Sequence, residues 1–374
     1  MVTVGFPSSG CIYVCTRFRV RKTLLYPREE YTRFLNRSIP EIAHFLSKGD
    51  YGEEITLLAR TLSGTDLIEA ALNRNLARTF QSALQISQGD LHTLVSRYLN
   101  RWDISNVMAI FRGIEHDIPR EQIQEYIVPA GEIPPAHIEH LLTLPTCDRV
   151  AEELESWVLA PVIAEHYRSC EEKGALARLE NELYKQYYAD LLADIRHGVR
   201  GGDVVTRYLR FEIDITNMKN LMRLRCGKGA CDIRTVQRSM IPGGETPIEV
   251  FQRMYGMERR EEFINAFKQT DILPILTRAL REVRGDESLD QEAAAQRVWE
   301  RWHARRRAGH EIEVAITRVR LHRMDRMARR HAFSALPILS YLEHKRYEVG
   351  NLRAIARGKE FDLPPERIRR YLVL

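Results

Sequence analysis

A polar signature occurs three times along this chain and points to internal repetition. Each copy has an acidic residue, an asparagine three positions later and an arginine six positions after that. The copies are Asp103, Asn106 and Arg112, then Asp214, Asn217 and Arg223, and finally Glu348, Asn351 and Arg357. An aliphatic residue stands two positions before each arginine. Because the spacing is kept, the signature marks equivalent positions in three related segments.

A second pattern lies near the start of each segment. Three apolar residues recur at a spacing of four and then five positions: Ile42, Leu46 and Tyr51, then Val150, Leu154 and Leu159, then Phe263, Phe267 and Ile272. Stretches rich in Pro and Gly follow the first two signatures, at 129–135 and 242–247. We therefore predict three domains, 1–129, 130–243 and 244–374. Such units exceed the roughly 20 to 50 residues of solenoid repeats, and three of them can close into a ring-like body.

Apolar periodicity predicts an all-α fold. Stripes at helical spacing run from Leu67 to Leu84, from Leu91 to Trp102 and from Leu176 to Ile195. Asp66 is expected to cap the first of these helices, and the glycine-rich stretch 198–202 to end the third. No segment shows the sustained alternation of apolar and polar residues that is typical of strands.

The composition is that of a globular protein without a membrane span. Apolar residues make up 44% of the 374, and 56 basic against 51 acidic residues give a mixed surface that does not imply nucleic acid. No stretch approaches the roughly 18 consecutive apolar residues of a membrane helix. The first ten residues lack the basic and apolar regions of a secretory signal. We expect a cytoplasmic chain with reduced cysteines.

The repeated polar residues have two interpretations. They could form a carboxylate site for a metal ion or for acid–base catalysis. Alternatively, the acid or the asparagine caps a helix entrance, and the arginine binds a neighbouring helix. The structural interpretation is favoured, because a catalytic site is rarely kept in triplicate within one chain, whereas a joint recurs wherever its domain recurs.

No other motif in the sequence indicates a nucleotide-binding, hydrolase or zinc site. The chain has neither a phosphate-binding loop nor a nucleophile elbow, and Gly227-Lys228-Gly229 lacks the required neighbours. His137 and His140 lie three residues apart without a carboxylate or cysteine that would complete a zinc site. We therefore predict no catalytic, cofactor-binding or metal-binding residues.

Residues 301–330 contain ten arginines and allow three interpretations. Apolar residues between Val314 and Met324 supply a buried face, and Glu311, Glu313 and Asp325 dilute the positive charge. The arginines could form a solvated helix face, bind an acidic protein partner or contact nucleic acid. The main rival function is accordingly a helical nucleic-acid-binding or scaffold protein that uses this segment. A metal-dependent hydrolase built on the repeated acids is the other.

Three stretches in register carry a family resemblance. They are Trp102-Asp103-Ile104 with Asn106 and Arg112, then Asp214-Ile215 with Asn217-Met218-Lys219, and finally Glu348-Val349-Gly350-Asn351-Leu352-Arg353. Together they resemble the C subunit of archaeal-type A/V-type ATPases, which is similar to the d subunit of the vacuolar enzyme. The similarity extends over nearly the whole chain. Gly350 departs from the pattern, because the other two copies have Ser or Thr at this position.

The resemblance implies a funnel of three pseudo-symmetric helical domains without an active site or a cofactor. Its wide end would rest on the membrane rotor ring of proteolipid subunits, and its cavity would receive the central shaft subunits. Such a part transmits torque for ATP synthesis or hydrolysis coupled to proton or sodium transport. It would lie at the cytoplasmic face of the cell membrane, held there through the complex, with no direct membrane insertion and no nucleic acid.

Overall fold

The computed structural model describes residues 9–167, 174–196, 202–226, 233–284, 286–303 and 310–374. Within these ranges every regular element is an α-helix, which confirms the predicted all-α fold. None of the described helices is long and apolar enough to cross a membrane.

The helices follow one another closely. The first twelve are α1 (Ser9–Lys22), α2 (Arg28–Leu35), α3 (Ile39–Ser47), α4 (Gly52–Leu58), α5 (Gly64–Ile86), α6 (Asp90–Leu99), α7 (Arg101–Glu115), α8 (Arg120–Gln124), α9 (Pro135–Leu141), α10 (Cys147–Glu153), α11 (Ala160–His166) and α12 (Ala175–Arg196). The remaining helices are α13 (Gly202–Cys226), α14 (Ile233–Ser239), α15 (Ile248–Gly256), α16 (Arg260–Lys268), α17 (Ile272–Arg284), α18 (Gln291–His303), α19 (His310–Arg330), α20 (Leu336–Glu360) and α21 (Pro365–Arg369).

The first compact unit comprises residues 1–202 and 331–369. Its centre is α20, which packs against both α5 and α1. Phe18 of α1 and Tyr341 of α20 are buried with their ring centroids 5.5 Å apart, and Phe80 of α5 lies 5.2 Å from the ring of Trp102. Aromatic pairs at this separation add to the stabilisation that burial of their apolar surface provides.

The second compact unit comprises residues 203–330 and 370–374. In its core α16 packs on α18, and α17 packs on both α18 and α19. Phe263 lies 5.8 Å from Phe267 and 5.3 Å from Trp299, measured between ring centroids. Burial of a side chain such as Phe263 stabilises the fold by about 1.5 to 3 kcal/mol relative to leaving it exposed.

The nine residues of the apolar pattern that starts each predicted segment are all buried. Each set begins on a short helix, α3, α10 or α16, and its last residue lies at the start of α4, α11 or α17. Tyr51 and Leu159 also adopt nearly the same backbone conformation, with φ and ψ of −95° and 3° and of −97° and 7°. The two compact units are defined by contacts between residues, whereas the three predicted domains are defined by internal sequence similarity. The domains 1–129, 130–243 and 244–374 therefore stay a prediction.

Two local predictions are wrong, and a third concerns residues that lie mostly outside the described ranges. Asp66 does not cap α5, because the helix already begins at Gly64, where a φ of +62° lets the chain turn in earlier. The stripe from Leu91 to Trp102 crosses the junction between α6 and α7 at Asn100 and is not one helix. The glycine-rich stretch predicted to end α12 lies outside the described residues except for Gly202, which begins α13.

Candidate functional site

The first signature joins α7 to the loop that leads into α9. Asn106 Nδ2 donates to the carbonyl of Val128 at 2.9 Å, and the Val128 N–H donates back to Asn106 Oδ1 at 2.9 Å. Asp103 Oδ2 accepts the N–H groups of Glu132 at 2.6 Å and Ile133 at 3.3 Å. Asp103 and Asn106 are both buried. These five residues, here called the first joint, fix the loop to the helix.

The second signature makes the same contacts in the other compact unit. Asn217 on α13 donates to the Ile241 carbonyl at 2.8 Å and accepts the Ile241 N–H at 2.7 Å. Asp214 Oδ2 accepts both the N–H and the hydroxyl of Thr246, at 2.9 and 3.0 Å. Asp214, Asn217, Ile241 and Thr246 form the second joint. In both joints the asparagine binds the residue before a proline, and the acid binds the turn that follows.

A glycine lies against the carboxylate in each of these joints. A methyl group placed on Gly131 would overlap the carboxylate of Asp103, and one on Gly244 would overlap that of Asp214. The loop backbone can therefore approach the acid closely only where the side chain is a hydrogen atom. Within the described residues, the buried Oδ1 atoms of Asp103 and Asp214 have no hydrogen-bond partner.

Burial changes the acidity of both joint acids. It raises the pKa of Asp103 from 3.8 to about 7, although the N–H groups of Glu132 and Ile133 act in the opposite direction. Burial likewise raises the pKa of Asp214 to about 7, against the hydrogen bonds from Thr246. A carboxyl group that loses its hydration shell favours the neutral form unless donors or cations compensate fully.

The third signature uses different partners, two from the N-terminal part of the first unit and one from α20 itself. Glu348 Oε2 accepts the N–H of Tyr26 at 2.7 Å, while Oε1 accepts the Tyr51 hydroxyl at 2.7 Å and Lys345 Nζ at 2.9 Å. These four residues form the third joint. Asn351, one turn further on α20, shares a side-chain hydrogen bond with Tyr31.

Lys345 carries its charge inside this joint. Its side chain is 1% exposed and lies 2.7 Å from Asp50 Oδ2. Burial alone would lower the pKa of Lys345, but Glu348 and Asp50 outweigh it, and the pKa is raised. Burial and the nearby Glu348 raise the pKa of the Tyr51 hydroxyl. The third joint is therefore a buried hydrogen-bonded network in which Glu348 joins a charged lysine to the hydroxyl of Tyr51.

The three signature arginines lie in different surroundings. Arg112 pairs with Glu180 on α12, and Arg357 pairs with Glu69 on α5, where its Nη2 lies 2.7 Å from Glu69 Oε2. Both link their helix to a neighbour. Arg223 is exposed and donates to Asn220 on its own helix at 2.9 Å.

The contacts of the joint acids fix their positions in the fold. The joint acids accept backbone N–H groups, hydroxyl groups or a lysine, all of which hold a carboxylate in place. Among the described residues, no group of three or more His, Cys, Asp or Glu side chains is placed to hold a metal ion. The ring centroids of His137 and His140 are 6.5 Å apart, and His140 Nε2 lies 3.8 Å from Glu153.

Comparison with known proteins shows the family of the chain. A sequence profile for the ATP synthase (C/AC39) subunit matches residues 14–371. The chain belongs to this ATP synthase subunit family. It is 34% identical to the C subunit of the A-type ATP synthase of Halorubrum lacusprofundi over the full length of both chains. Identity to the corresponding C subunit of Methanosarcina mazei is 32%, over 98% of this chain and 94% of the relative.

More distant members of the same family also match throughout. The C subunit of the A-type ATP synthase of Archaeoglobus fulgidus is 28% identical over 97% of this chain and 96% of its own length. The family resemblance seen in the sequence is thus confirmed. Since the match to the C/AC39 family spans residues 14–371, all three joints lie inside it.

Three arginines in the described part of the arginine-rich segment, Arg318, Arg320 and Arg323, make contacts within their own unit. Arg320 is buried and forms an ion pair with the buried Glu212 of α13. Arg323 lies 3.2 Å from Glu245 and covers the ring of Phe211, with its guanidinium carbon 4.1 Å from the centroid. Arg305, Arg306 and Arg307 lie outside the described residues. The interpretation as a solvated face holds for Arg326, Arg329 and Arg330, which are exposed, but not for Arg318 and Arg320.

Several joint residues carry no polar pattern that would identify them in the sequence. Val128 and Ile241 take part through their backbone, so their side chains carry no polar signal. The available signal was the proline after each of them, together with the glycines that follow at 131 and 244. Tyr26 had no signal at all, because it binds Glu348 through its backbone N–H and is 322 residues away from it in the sequence.

Proposed function

We propose that this chain is the non-catalytic central-stalk subunit of a rotary A-type ATP synthase. In this role it joins the membrane rotor ring of proteolipid subunits to the central shaft subunits. It passes torque between them during ATP synthesis or hydrolysis coupled to proton or sodium transport. The observation that carries the proposal is the match over essentially the whole length to relatives named as the C subunit of the A-type ATP synthase.

The joints suit a part that transmits force. Each of the first two joints ties a long helix to an irregular segment through buried hydrogen bonds, and it does so without long flexible side chains. Short Asp and Asn side chains have few rotatable bonds, so little movement is possible between the parts they connect. The third joint binds α20 to the start of the chain in the same unit. A torque coupler needs this kind of internal stiffness.

We further propose that the signature residues are structural and that the chain has no active site. The joint acids are occupied by donors that hold them, and Arg320 and Arg323 are paired within their own unit. The nucleic-acid alternative gains no specific observation from this arrangement. The three pseudo-symmetric domains and their funnel-like assembly belong to the same proposal. So does a location at the cytoplasmic face of the cell membrane, where protein contacts and not lipid insertion hold the chain.

The decisive experiment removes and restores the chain. Membrane vesicles from cells that lack it should show no ATP-driven ion transport, while the detached catalytic head still hydrolyses ATP. Addition of the purified chain should restore transport, and the isolated chain should neither bind nor hydrolyse ATP. Vesicles that pump ions on ATP without this chain would refute the coupling role.

A further inference from the structure

A half-open groove in the first unit has a floor of small and apolar side chains. It lies among α4, α5, α8 and α9 and has a volume of about 810 Å³. The floor residues are Ala70, Ala77, Ile127, Ile138 and Leu142. Leu57 also lines the groove and is 44% exposed, so it adds solvent-accessible apolar surface beside the floor. A partner could bury this surface.

The rim of the groove is acidic. Six carboxylates line it, and they are Glu53, Glu54, Asp66, Glu121, Glu125 and Glu139. Arg74 and Arg78 are the arginines in the lining, so the lining carries a formal charge of −4, against +5 for the whole chain. Arg78 pairs with Glu53 and Glu54, and Glu125 lies 3.9 Å from Arg357, which is outside the lining. Glu121 on α8 and Glu139 on α9 are lining carboxylates on other helices than Arg78's partners, which lie on α4.

The concentration of negative charge affects one of the rim groups. Burial raises the pKa of Glu125, and the neighbouring Glu69 and Asp66 raise it further, although Arg357 and Arg353 act against them. Neighbouring carboxylates destabilise each other's ionised form, and a cation that approaches them stabilises that form. The groove therefore attracts positive charge and repels anionic lipids and acidic peptides.

We propose that this groove docks a basic amphipathic helix of a protein partner. Apolar side chains spaced three and four residues apart would enter the floor, while Lys and Arg on either side would meet the carboxylates. Ala70 and Ala77 lie two turns apart on α5, and their short side chains let a second helix approach closely. The groove has room for the apolar face of about two helical turns. The proposal goes beyond the coupling role and does not depend on it.

A designed peptide tests the proposal with the full-length chain. The probe is a fluorescent helix-forming peptide of Leu and Lys whose leucines lie on one face, and its binding is measured by anisotropy. Two controls are a peptide of the same composition with the leucines scattered and a Leu/Glu peptide with the original leucine spacing. We expect only the basic amphipathic probe to bind, and its affinity should fall as salt is added. Equal binding of the scattered peptide, or no binding of the probe, would overturn the proposal.

Matched variants locate the binding. Glu121→Lys combined with Glu139→Lys should weaken the probe by about tenfold or more, because two attractive contacts become repulsive. Glu155→Lys combined with Glu165→Lys makes the same charge change on exposed residues outside the groove lining and should leave binding within about twofold. Leu57→Ser should weaken binding, whereas Val158→Ser, at another exposed aliphatic residue, should not.

The alternatives give different results. Equal losses from both charge pairs would show general attraction to an acidic surface, and competition by spermine as effective as that of unlabelled probe would show a site for small cations. Either result overturns the proposal. All six substitutions are at exposed positions, so unchanged melting temperatures check that the variants fold. Failure of the peptide to bind would leave the coupling role intact, because ion transport by vesicles tests that separately.

Discussion

Asn217 binds both backbone polar groups of Ile241 through buried hydrogen bonds of 2.7 and 2.8 Å. The side-chain amide acts here as a substitute peptide group. Ile241 needs one because it lies beyond the end of α14 and before Pro242, outside regular structure, and a buried N–H or C=O without a partner is costly. Asn106 serves Val128, before Pro129, in the same way. In the first two joints the signature asparagine thus pairs with the backbone of the residue just before a proline.

Replacement of this asparagine should be costly. Asn217→Ala leaves the N–H and C=O of Ile241 buried without their partner, and we expect a loss of about 2 to 4 kcal/mol in the free energy of unfolding. Asn220→Ala, one turn further along α13 and only partly buried, removes a hydrogen bond to Ser239 and one from the exposed Arg223, and should cost less than about 1 kcal/mol. Urea denaturation followed by circular dichroism compares the two. Similar losses would mean that the amide is no special anchor.

The glycines of the joints provide a second prediction. Gly131→Ala and Gly244→Ala should each destabilise the fold by about 1 to 3 kcal/mol, because the new methyl group overlaps a buried carboxylate. The control is Gly350→Ala in α20, where the added group meets no atom within 4 Å apart from its chain neighbours and the nearby backbone of its own helix. It should stabilise the helix by about 0.5 to 1 kcal/mol. Melting temperatures should therefore move in opposite directions.

A double variant tests the cause of the glycine effect. With Asp103→Ala in place, the carboxylate that Gly131→Ala would meet is gone, and the additional loss from Gly131→Ala should become small. Losses that simply add would show that the loop backbone, and not the carboxylate, rejects the methyl group.

The sequence predicted the helical fold and the positions of the joints, but not what the joints bind. Asp103 and Asn106 stood out because their spacing recurs, and recurrence within one chain is visible without a structure. Their partners were hidden, since a backbone N–H is present in every residue except proline. The acid or the asparagine was predicted to cap a helix entrance, yet Asp103 and Asn106 both lie within α7 and bind loop backbone. Loop conformation decides such contacts, and apolar periodicity does not report it.

The third joint shows a different limit. Glu348 carries the same signature as the first two acids, but it binds Tyr26 and Tyr51 from the opposite end of the chain. The same position of the signature therefore need not keep the same partners. The neighbouring Lys345, which makes this a charge network, has no counterpart that the repeated pattern would reveal.

The raised pKa values of the first two joint acids predict a pH dependence of stability. An acid whose pKa rises from 3.8 to about 7 on folding binds a proton more readily in the folded state. Its contribution to stability is present below its ordinary pKa and is lost as the pH rises through about 7. Asp103 and Asp214 should therefore make the fold less stable at about pH 8 than at about pH 5.

The double variant Asp103→Asn with Asp214→Asn isolates this effect. An amide keeps an oxygen for the loop N–H groups but has no proton to lose. Relative to the unsubstituted chain, we expect the variant to lose less melting temperature between about pH 5 and about pH 8. Other titrating groups contribute equally to both proteins, so the difference belongs to the two acids. The same pH profile for both proteins would show that neither pKa is raised.

The buried pair of Arg320 and Glu212 gives the last prediction. Arg320→Met removes the arginine that pairs with the buried Glu212 carboxylate, and we expect a loss of about 3 to 5 kcal/mol in the free energy of unfolding. Glu212→Met combined with Arg320→Met removes both charges and should recover most of that loss. The exposed pair of Arg278 and Glu282 is the control, and Arg278→Met should cost less than about 1 kcal/mol. Unfolding free energies from urea titrations give the comparison. If Arg320→Met costs no more than Arg278→Met, the ion pair with Glu212 does not hold the arginine in the fold, and the nucleic-acid alternative for residues 301–330 returns.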